Sequence, residues 1–327
     1  MNSEKINRWA DCMRRALCVV LWVGLAPAIA QTSVSSAPYR LVVPVAAGGP
    51  LDGLARLLAR VLSRNLDEPV IVDNRPGAFA MIGTEYVVKA SPDGRTLLVA
   101  TSFLVTNAVQ YKLNFDPLRD LRAVIQLGEV DHVLVARSEL GASGVADLQR
   151  VAGLQRGGLN CAAPPGEMAL ACERLKVALG GAVVVIPYSS IGPAMTALMG
   201  GQVDVMFAPR DAVVPQLETR RILPLASGAP QRPPAPLDKL PLLKDVWPGF
   251  TASGFTGILV PAGTPQATVT MLNREFNRVL LDPQVHAWLA AWGTPSAANA
   301  PGKLAQTLSD KALYYRQLAE QIGLKPQ

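Results

Sequence analysis

From Tyr39 to the C-terminal end, short apolar runs alternate with longer segments that carry an apolar residue every three or four positions. The first run, RLVVPV from Arg40, predicts a buried strand. The segment from Pro50 to Leu66 then places its apolar residues on one helical face, and these residues are Leu51, Leu54, Ala55, Leu58, Val61 and Leu62. The same order of strand and helix patterns continues along the chain. It predicts an α/β fold in which mostly parallel sheets are covered by helices.

Two of the early strand–turn–helix junctions contain glycine but no phosphate-loop lysine. They are VVPVAAGGPLDGLARLL, from Val42 to Leu58, and VIVDNRPGAFAMIGTEYVV, from Val70 to Val88. Glycine lets the backbone approach a ligand closely, and the first N–H groups of a helix have no intrahelical partner. Those donors and the helix dipole bind an anion without a charged side chain. Either turn alone would be read as a tight connection, but the pair, on adjacent parallel strands, favours a carboxylate clamp at one sheet edge.

The first thirty residues have the order of a secretory signal peptide. A basic start is followed by the apolar run ALCVVLWVGLA and by AIA, which predicts cleavage after Ala30 and a periplasmic location. A membrane anchor is the alternative. Eleven helical residues reach only about 16 Å, whereas a bilayer core is about 30 Å thick, which argues against an anchor.

The composition excludes several classes of protein. The chain has 31 basic and 25 acidic residues, and removal of the leader lowers the net charge from +6 to about +4 without exposing any basic cluster interleaved with aromatic residues. Nucleic-acid binding is therefore not expected. Two cysteines remain after cleavage, Cys161 and Cys172. In an oxidising compartment they can form a disulfide, and two small buried apolar residues are the equally good alternative.

Catalytic and cofactor signatures are absent from the sequence. His132 and His286 are the only histidines, and neither has a cysteine or carboxylate at metal-ligand spacing. No GxSxG elbow or dinucleotide fingerprint is present. Cys161 as a nucleophile has no evident base, so a secreted hydrolase is the weakest interpretation. We expect a protein that is not an enzyme and that uses no cofactor and no metal.

Several motifs occur in an order that identifies a family. NRPGA is followed by IG and SPDG, and GGQVDVMF and ILVPAGTP come later in the chain. With these motifs the chain resembles the Bug family, the TctC-like periplasmic solute receptors associated with tripartite tricarboxylate transporters, from about Tyr39 to the C-terminal helix. The resemblance implies a two-lobed type II periplasmic-binding-protein fold with a hinge. The lobes would comprise residues 38–137 with 251–327, and residues 138–250, and the β-rich passage from Ala123 to Arg137 would cross between them.

The resemblance also implies ligand-binding positions in both lobes. The first turn contributes Ala46, Ala47, Gly48, Gly49 and Asp52. The second turn and the third strand end contribute Asn74, Arg75, Gly77, Ala78, Thr101 and Ser102. The second lobe contributes Cys161, Ala163, Tyr188 and Ala208. Three of these (Cys161, Ala163 and Ala208) are less polar than the family pattern, which favours an aromatic or aliphatic monocarboxylate as ligand. Arg210 either meets a second anionic group or is a solvated residue at a helix start.

The leading interpretation is a monomeric receptor that closes around a small carboxylate. It would present the closed surface to transporter subunits in the membrane or to a sensor ectodomain. The alternative is the effector-binding module of a regulatory system, which shares the lobe architecture. That alternative requires an N-terminal helix-turn-helix, and this chain has a signal peptide there instead.

Overall fold

The computed structural model describes residues 37–295 and 297–326. The predicted leader and its cleavage site after Ala30 lie outside the described residues. Within them, no helix combines the length and hydropathy that a bilayer span requires.

The described chain contains strands and helices in the predicted alternation. The strands are β1 (Tyr39–Val43), β2 (Val70–Asn74), β3 (Thr96–Thr101), β4 (Leu121–Arg137), β5 (Leu159–Ala163), β6 (Val183–Pro187), β7 (Val205–Pro209), β8 (Ile222–Ser227), β9 (Ser253–Pro261) and β10 (Gly293–Pro295). The helices are α1 (Pro50–Leu66), α2 (Met81–Val88), α3 (Phe103–Gln110), α4 (Leu148–Leu154), α5 (Glu167–Ala178), α6 (Ile191–Met199), α7 (Arg210–Val213), α8 (Leu243–Val246), α9 (Gln266–Leu280), α10 (Pro283–Trp292) and α11 (Pro301–Ile322).

The strands form two sheets that share β4. In the first sheet β1 pairs in parallel with β2 and β3, and β9 then runs antiparallel between β3 and β4. In the second sheet β5 pairs in parallel with β6 and β7, and β7 and β8 are antiparallel to β4. Each sheet is therefore parallel on the side that carries the βα units and antiparallel around the shared strand.

The shared strand changes partners at one point. Asp131 of β4 is paired with Ser253 of β9, and the next residue, His132, is paired with Pro209 of β7. The chain returns beside the same point, where the Gly228 N–H donates to the His132 carbonyl oxygen at 2.8 Å. Within the passage from Ala123 to Arg137, β4 therefore passes from one sheet to the other.

Helices cover both faces of each sheet and enclose the hydrophobic cores. α1, α9 and α10 pack on one face of the first sheet, and α2, α3 and α11 pack on the other. The second sheet is covered by α4 and α5 on one side and by α6 and α7 on the other. The amphipathic face predicted for α1 is correct, since Leu54, Leu58 and Leu62 are fully buried. Buried apolar area on this scale is the main stabilising contribution to the fold.

Candidate functional site

A cavity of about 240 Å³ lies where the two sheets meet. Its apolar wall comes from both sheets and their helices, and it consists of Pro50, Leu51, Phe103, Val130, Pro165, Met168, Ile191, Pro209 and Phe255. Its polar residues are Thr101, Ser102, His132, Glu167, Asp211 and Thr256. A mostly apolar wall with a few convergent polar groups is the usual composition of a small-molecule site.

Helix α1 begins at this cavity. Pro50 occupies its first position, Gly49 is the extended residue before it, and no side chain caps the helix. The first N–H groups of α1 and the positive end of its dipole therefore remain available to a ligand. Gly48, Gly49 and Asp52 line a wider depression that shares Pro50 and Asp211 with the cavity.

The buried carboxylate of Asp52 connects the first turn to the second through hydrogen bonds. It accepts hydrogen bonds from the Gly48 N–H, the Arg56 Nε–H and the Asn74 side-chain amide, each at 2.9 Å. The bonds from Arg56 and Gly48 lower the pKa of this buried carboxyl to about 2. Asp52 and Asn74 are both predicted ligand-binding positions. In the structure they hydrogen-bond to each other, and this bond ties the first turn to the second.

The second turn has an unusual backbone. Gly77, Ala78, Phe79 and Ala80 all have positive φ angles, of 128°, 47°, 51° and 75°. Left-handed conformations cost a non-glycine residue roughly 1–2 kcal/mol, and runs of them form backbone concavities that bind anions. None of the hydrogen bonds among the described residues uses the N–H group of any of these four residues. The turn therefore presents a row of unpaired donors.

The two turns lie at the same sheet edge, as the sequence analysis predicted for adjacent parallel strands. Val43 at the end of β1 is paired with Asn74 at the end of β2. Ala46 and Ala47 of the first turn are exposed, as are Gly77 and Ala78 of the second. Of the two junctions only the start of α1 reaches the wall of the cavity. The second turn approaches through Phe79, whose ring is stacked 6.5 Å from the ring of Phe103.

Arg75 is held by a strand residue and a helix residue next to the second turn. Its Nε donates to the Asp73 carboxylate at 2.9 Å, and its guanidinium lies 3.4 Å from the centre of the Tyr86 ring. Asp73 belongs to β2 and Tyr86 to α2. The side chain of Arg75 is thus engaged within the first sheet.

Thr101 and Ser102, both predicted as ligand-binding positions, line the cavity. Thr101 is paired with Thr256 of β9. The buried Ser102 hydroxyl accepts a hydrogen bond from the Phe255 N–H at 3.0 Å. These residues form the floor that the first sheet contributes.

The remaining predicted positions lie in the core of the second sheet. Cys161, Ala163 and Ala208 are buried in β5 and β7, and Tyr188 packs against the core beside them. None of the four is part of the cavity wall. Cys161 and Cys172 are joined by a disulfide with 6.0 Å between their Cα atoms, and this bond connects β5 to α5.

Arg210 is held by two backbone carbonyl groups. Its Nη1 donates to the Ala290 carbonyl oxygen at 2.8 Å, and its Nη2 donates to the Ala235 carbonyl oxygen at 3.0 Å. The side chain thereby links α7 to α10 and to the connection between β8 and α8. Its Nε is buried and has no hydrogen-bond partner among the described residues.

His132 and Glu167 were missed as site residues. His132 Nε2 lies 3.2 Å from Glu167 Oε1 although the residues belong to β4 and α5. Burial is the main cause that lowers the pKa of His132, so the imidazole is neutral at neutral pH. Burial also raises the pKa of Asp211 on the same wall. No sequence spacing signals this pair, because it depends on the order of strands in the sheets.

His132 and Glu167 do not belong to a cluster of metal-ligating side chains within the described residues. Among the described residues, no three histidine, cysteine or acidic side chains are grouped so that they could hold a metal ion.

Comparisons with known proteins agree on one family. The model of the tripartite tricarboxylate transporter family receptor matches residues 54–324. Protein BugT of Bordetella pertussis is 28% identical over 332 residues, which cover 96% of this chain and 99% of BugT.

Two solved structures extend the likeness to the fold. R. palustris Rpa4515 with adipate has a TM-score of 0.75 and 28% identity, covering 89% of this chain and 98% of the other. MatC (Rpa3494) from Rhodopseudomonas palustris with bound malate has a TM-score of 0.71 and 28% identity, covering 86% and 98%. The predicted α/β fold with the two-lobed architecture of periplasmic binding proteins is confirmed by these likenesses.

Proposed function

Because the chain belongs to the family of tripartite tricarboxylate transporter receptors, we propose that it captures a small carboxylate between its lobes and delivers it to a membrane partner. The first lobe contains β1–β3, β9 and the beginning of β4, and the second contains β5–β8 and the end of β4. We place the border of the lobes where β4 changes partners, between Asp131 and His132, and where the chain re-enters the first sheet at the start of β9, near Ser253. A periplasmic location follows from the family and from the predicted leader.

The observation that carries this proposal is the pair of backbone turns that follow adjacent parallel strands, one of which begins helix α1 at the cavity wall. No side chain caps α1, and none of the N–H groups at 77–80 has a hydrogen-bond partner among the described residues. A carboxylate has several acceptor sites and can be held by both. Each such charge-assisted hydrogen bond contributes about 1.5–3 kcal/mol.

The wall of the cavity supports a ligand with a single carboxylate. No lysine or arginine is among the residues that line it, and most of the lining is apolar. A second carboxylate on the ligand would therefore have no cationic partner in the wall. An aliphatic or aromatic monocarboxylate fits this chemistry, whereas adipate and malate are the dicarboxylates named for two related proteins.

The partner we propose is a transporter subunit in the membrane, with a sensor ectodomain as the alternative. Closure of the lobes around the ligand would change the surface that such a partner contacts. We propose a monomer that performs no chemistry on the ligand.

A thermal-shift screen of the mature chain tests the proposal. The panel contains small monocarboxylates, dicarboxylates and the neutral primary amide of each acid as its matched control. We expect at least one carboxylate to raise the melting temperature while its amide does not, because only the anion uses the backbone donors. Stabilisation by amides as strong as by acids, or no stabilisation by any acid, would contradict a carboxylate receptor.

A further inference from the structure

The carboxylate of Glu167 is held at the junction of the lobes by its surroundings. Glu167 is the first residue of α5 and follows Gly166, which has a φ of +83° and would bring an added Cβ within 2.8 Å of Phe103 Cε1. The carboxylate crosses to the first lobe, where an added Cβ at Gly254 would lie only 2.5 Å from Oε1. Glycine at both positions therefore permits the approach that brings Glu167 to the cavity.

Half of this carboxylate has no partner. Oε1 lies 3.2 Å from His132 Nε2, but Oε2 is buried and makes no hydrogen bond among the described residues. Thr256, which is 1% exposed and also lines the cavity, has a buried Oγ1 without a partner. Buried polar atoms are normally satisfied, so two orphaned oxygens in one cavity indicate a missing hydrogen-bond donor.

The charges around the cavity favour a cationic donor. Glu167 and Asp211 are both in the wall, and burial keeps His132 neutral. Lys311 interacts electrostatically with Glu167 but does not line the cavity, because its Nζ donates to the Ser253 carbonyl oxygen. The wall of the cavity thus contains two carboxyl side chains and no lysine or arginine.

We infer that the ligand carries an ammonium or similar N–H group opposite its carboxylate, and that the unpaired oxygen of Glu167 selects it. The ligand class is then an amino carboxylate. This inference rests on the proposed function, since the carboxylate end must be held by the backbone donors. A second carboxylate at the far end would instead be repelled by Glu167, and a methyl group would leave Oε2 unpaired.

Matched probes separate these cases by calorimetry at neutral pH. Hexanoate, 6-aminohexanoate and adipate share a six-carbon chain and differ only in the far group; 4-methylbenzoate, 4-(aminomethyl)benzoate and terephthalate repeat the comparison on a rigid frame. Shorter and longer amino acids of the same series cover other chain lengths. The variants are Glu167→Gln, which keeps the shape of the side chain, and Glu173→Gln as control, because Glu173 is on α5 but outside the cavity.

In the natural chain we expect the amino carboxylate of one series to bind about tenfold to a hundredfold more tightly than its methyl and dicarboxylate counterparts. Glu167→Gln should remove most of this preference with little change for the methyl compound, and Glu173→Gln should leave it intact. Equal or tighter binding of the methyl compounds or the dicarboxylates would overturn the inference alone, as would a preference that survives Glu167→Gln. Absence of binding by every carboxylate of both series would overturn the proposed function and the inference together.

Discussion

Asp52→Asn is the substitution that tests how the two turns are held together. The change keeps the size of the side chain and removes its charge. Asparagine offers one oxygen, so it cannot accept from both the Gly48 N–H and the Asn74 amide as the carboxylate does at 2.9 Å. Either the Gly48 N–H or the Asn74 side-chain amide then faces the NH₂ group of the new asparagine, which is itself a donor and cannot accept the hydrogen bond.

The magnitude follows from those contacts. A hydrogen bond to a charged group contributes about 1.5–3 kcal/mol, and an exposed ion pair one helical turn apart contributes about 0.3–0.5 kcal/mol. We therefore expect Asp52→Asn to lower the free energy of unfolding by roughly 2–4 kcal/mol. Arg56→Ala should lower it by less than about 1 kcal/mol, because the Arg56 side chain is 54% exposed and leaves Asp52 its other two donors.

The pH dependence gives an independent measure. The folded-state pKa of Asp52 is lowered from its ordinary value of 3.8 to about 2, chiefly by the Arg56 hydrogen bond. A depressed carboxyl pKa stabilises the fold above the unfolded-state value, and this contribution is lost as the pH falls through the folded-state value. The stability difference between the natural chain and Asp52→Asn should thus be constant above about pH 5 and shrink between about pH 4 and pH 2.

Urea denaturation of the mature chain and both variants, followed by tryptophan fluorescence from pH 2 to pH 7, measures all three quantities. Equal losses for Asp52→Asn and Arg56→Ala would refute the argument, since the buried bonds to Gly48 and Asn74 would then contribute nothing. A stability difference that does not change with pH would refute the assigned pKa.

Two further predictions concern the glycine turns and the cysteines. Gly48→Val and Gly77→Val should weaken carboxylate binding more than about a hundredfold in calorimetry, because each places a branched side chain at positive φ (88° and 128°) beside the donors. Near-normal binding by both would contradict the clamp. Thiol titration of the unreduced, denatured mature chain should find no free thiol, and Cys172→Ser should lower the free energy of unfolding by about 2–4 kcal/mol. Two titratable thiols would show instead that Cys161 and Cys172 are small buried residues.

The turns were predictable because their signals are local. Glycine, proline and apolar periodicity between Val42 and Val88 fix two strand–turn–helix units. Their parallel pairing, with Val43 beside Asn74, is made possible by the 17-residue helix α1, which carries the chain back across the sheet between the two strands. The left-handed backbone of Phe79 and Ala80 has no such signal, since neither is a residue type that favours positive φ.

The roles of Asp52 and Glu167 depend on distant partners and were not predictable in the same way. Asp52 has the position of a ligand contact in the first turn, but its partner Asn74 is 22 residues away on the next strand. Glu167 meets His132 only because β4 changes sheets at that residue and α5 begins beside it. Pairings of this kind require the strand order of both sheets, which alternation alone does not specify.

The site thus divides affinity and selectivity between different kinds of group. In the proposed clamp the donors for the ligand carboxylate are backbone N–H groups, so no cationic side chain is needed in the wall. The far end of the cavity is defined by side chains, above all Glu167, whose approach depends on Gly166 and Gly254. A change at position 167 can therefore alter which carboxylate is held while the clamp persists. Because Glu167 begins α5, on the second sheet, and its carboxylate lies against Gly254 of β9 in the first, a ligand that pairs with it would contact both proposed lobes, and its recognition would then be coupled to their proposed closure.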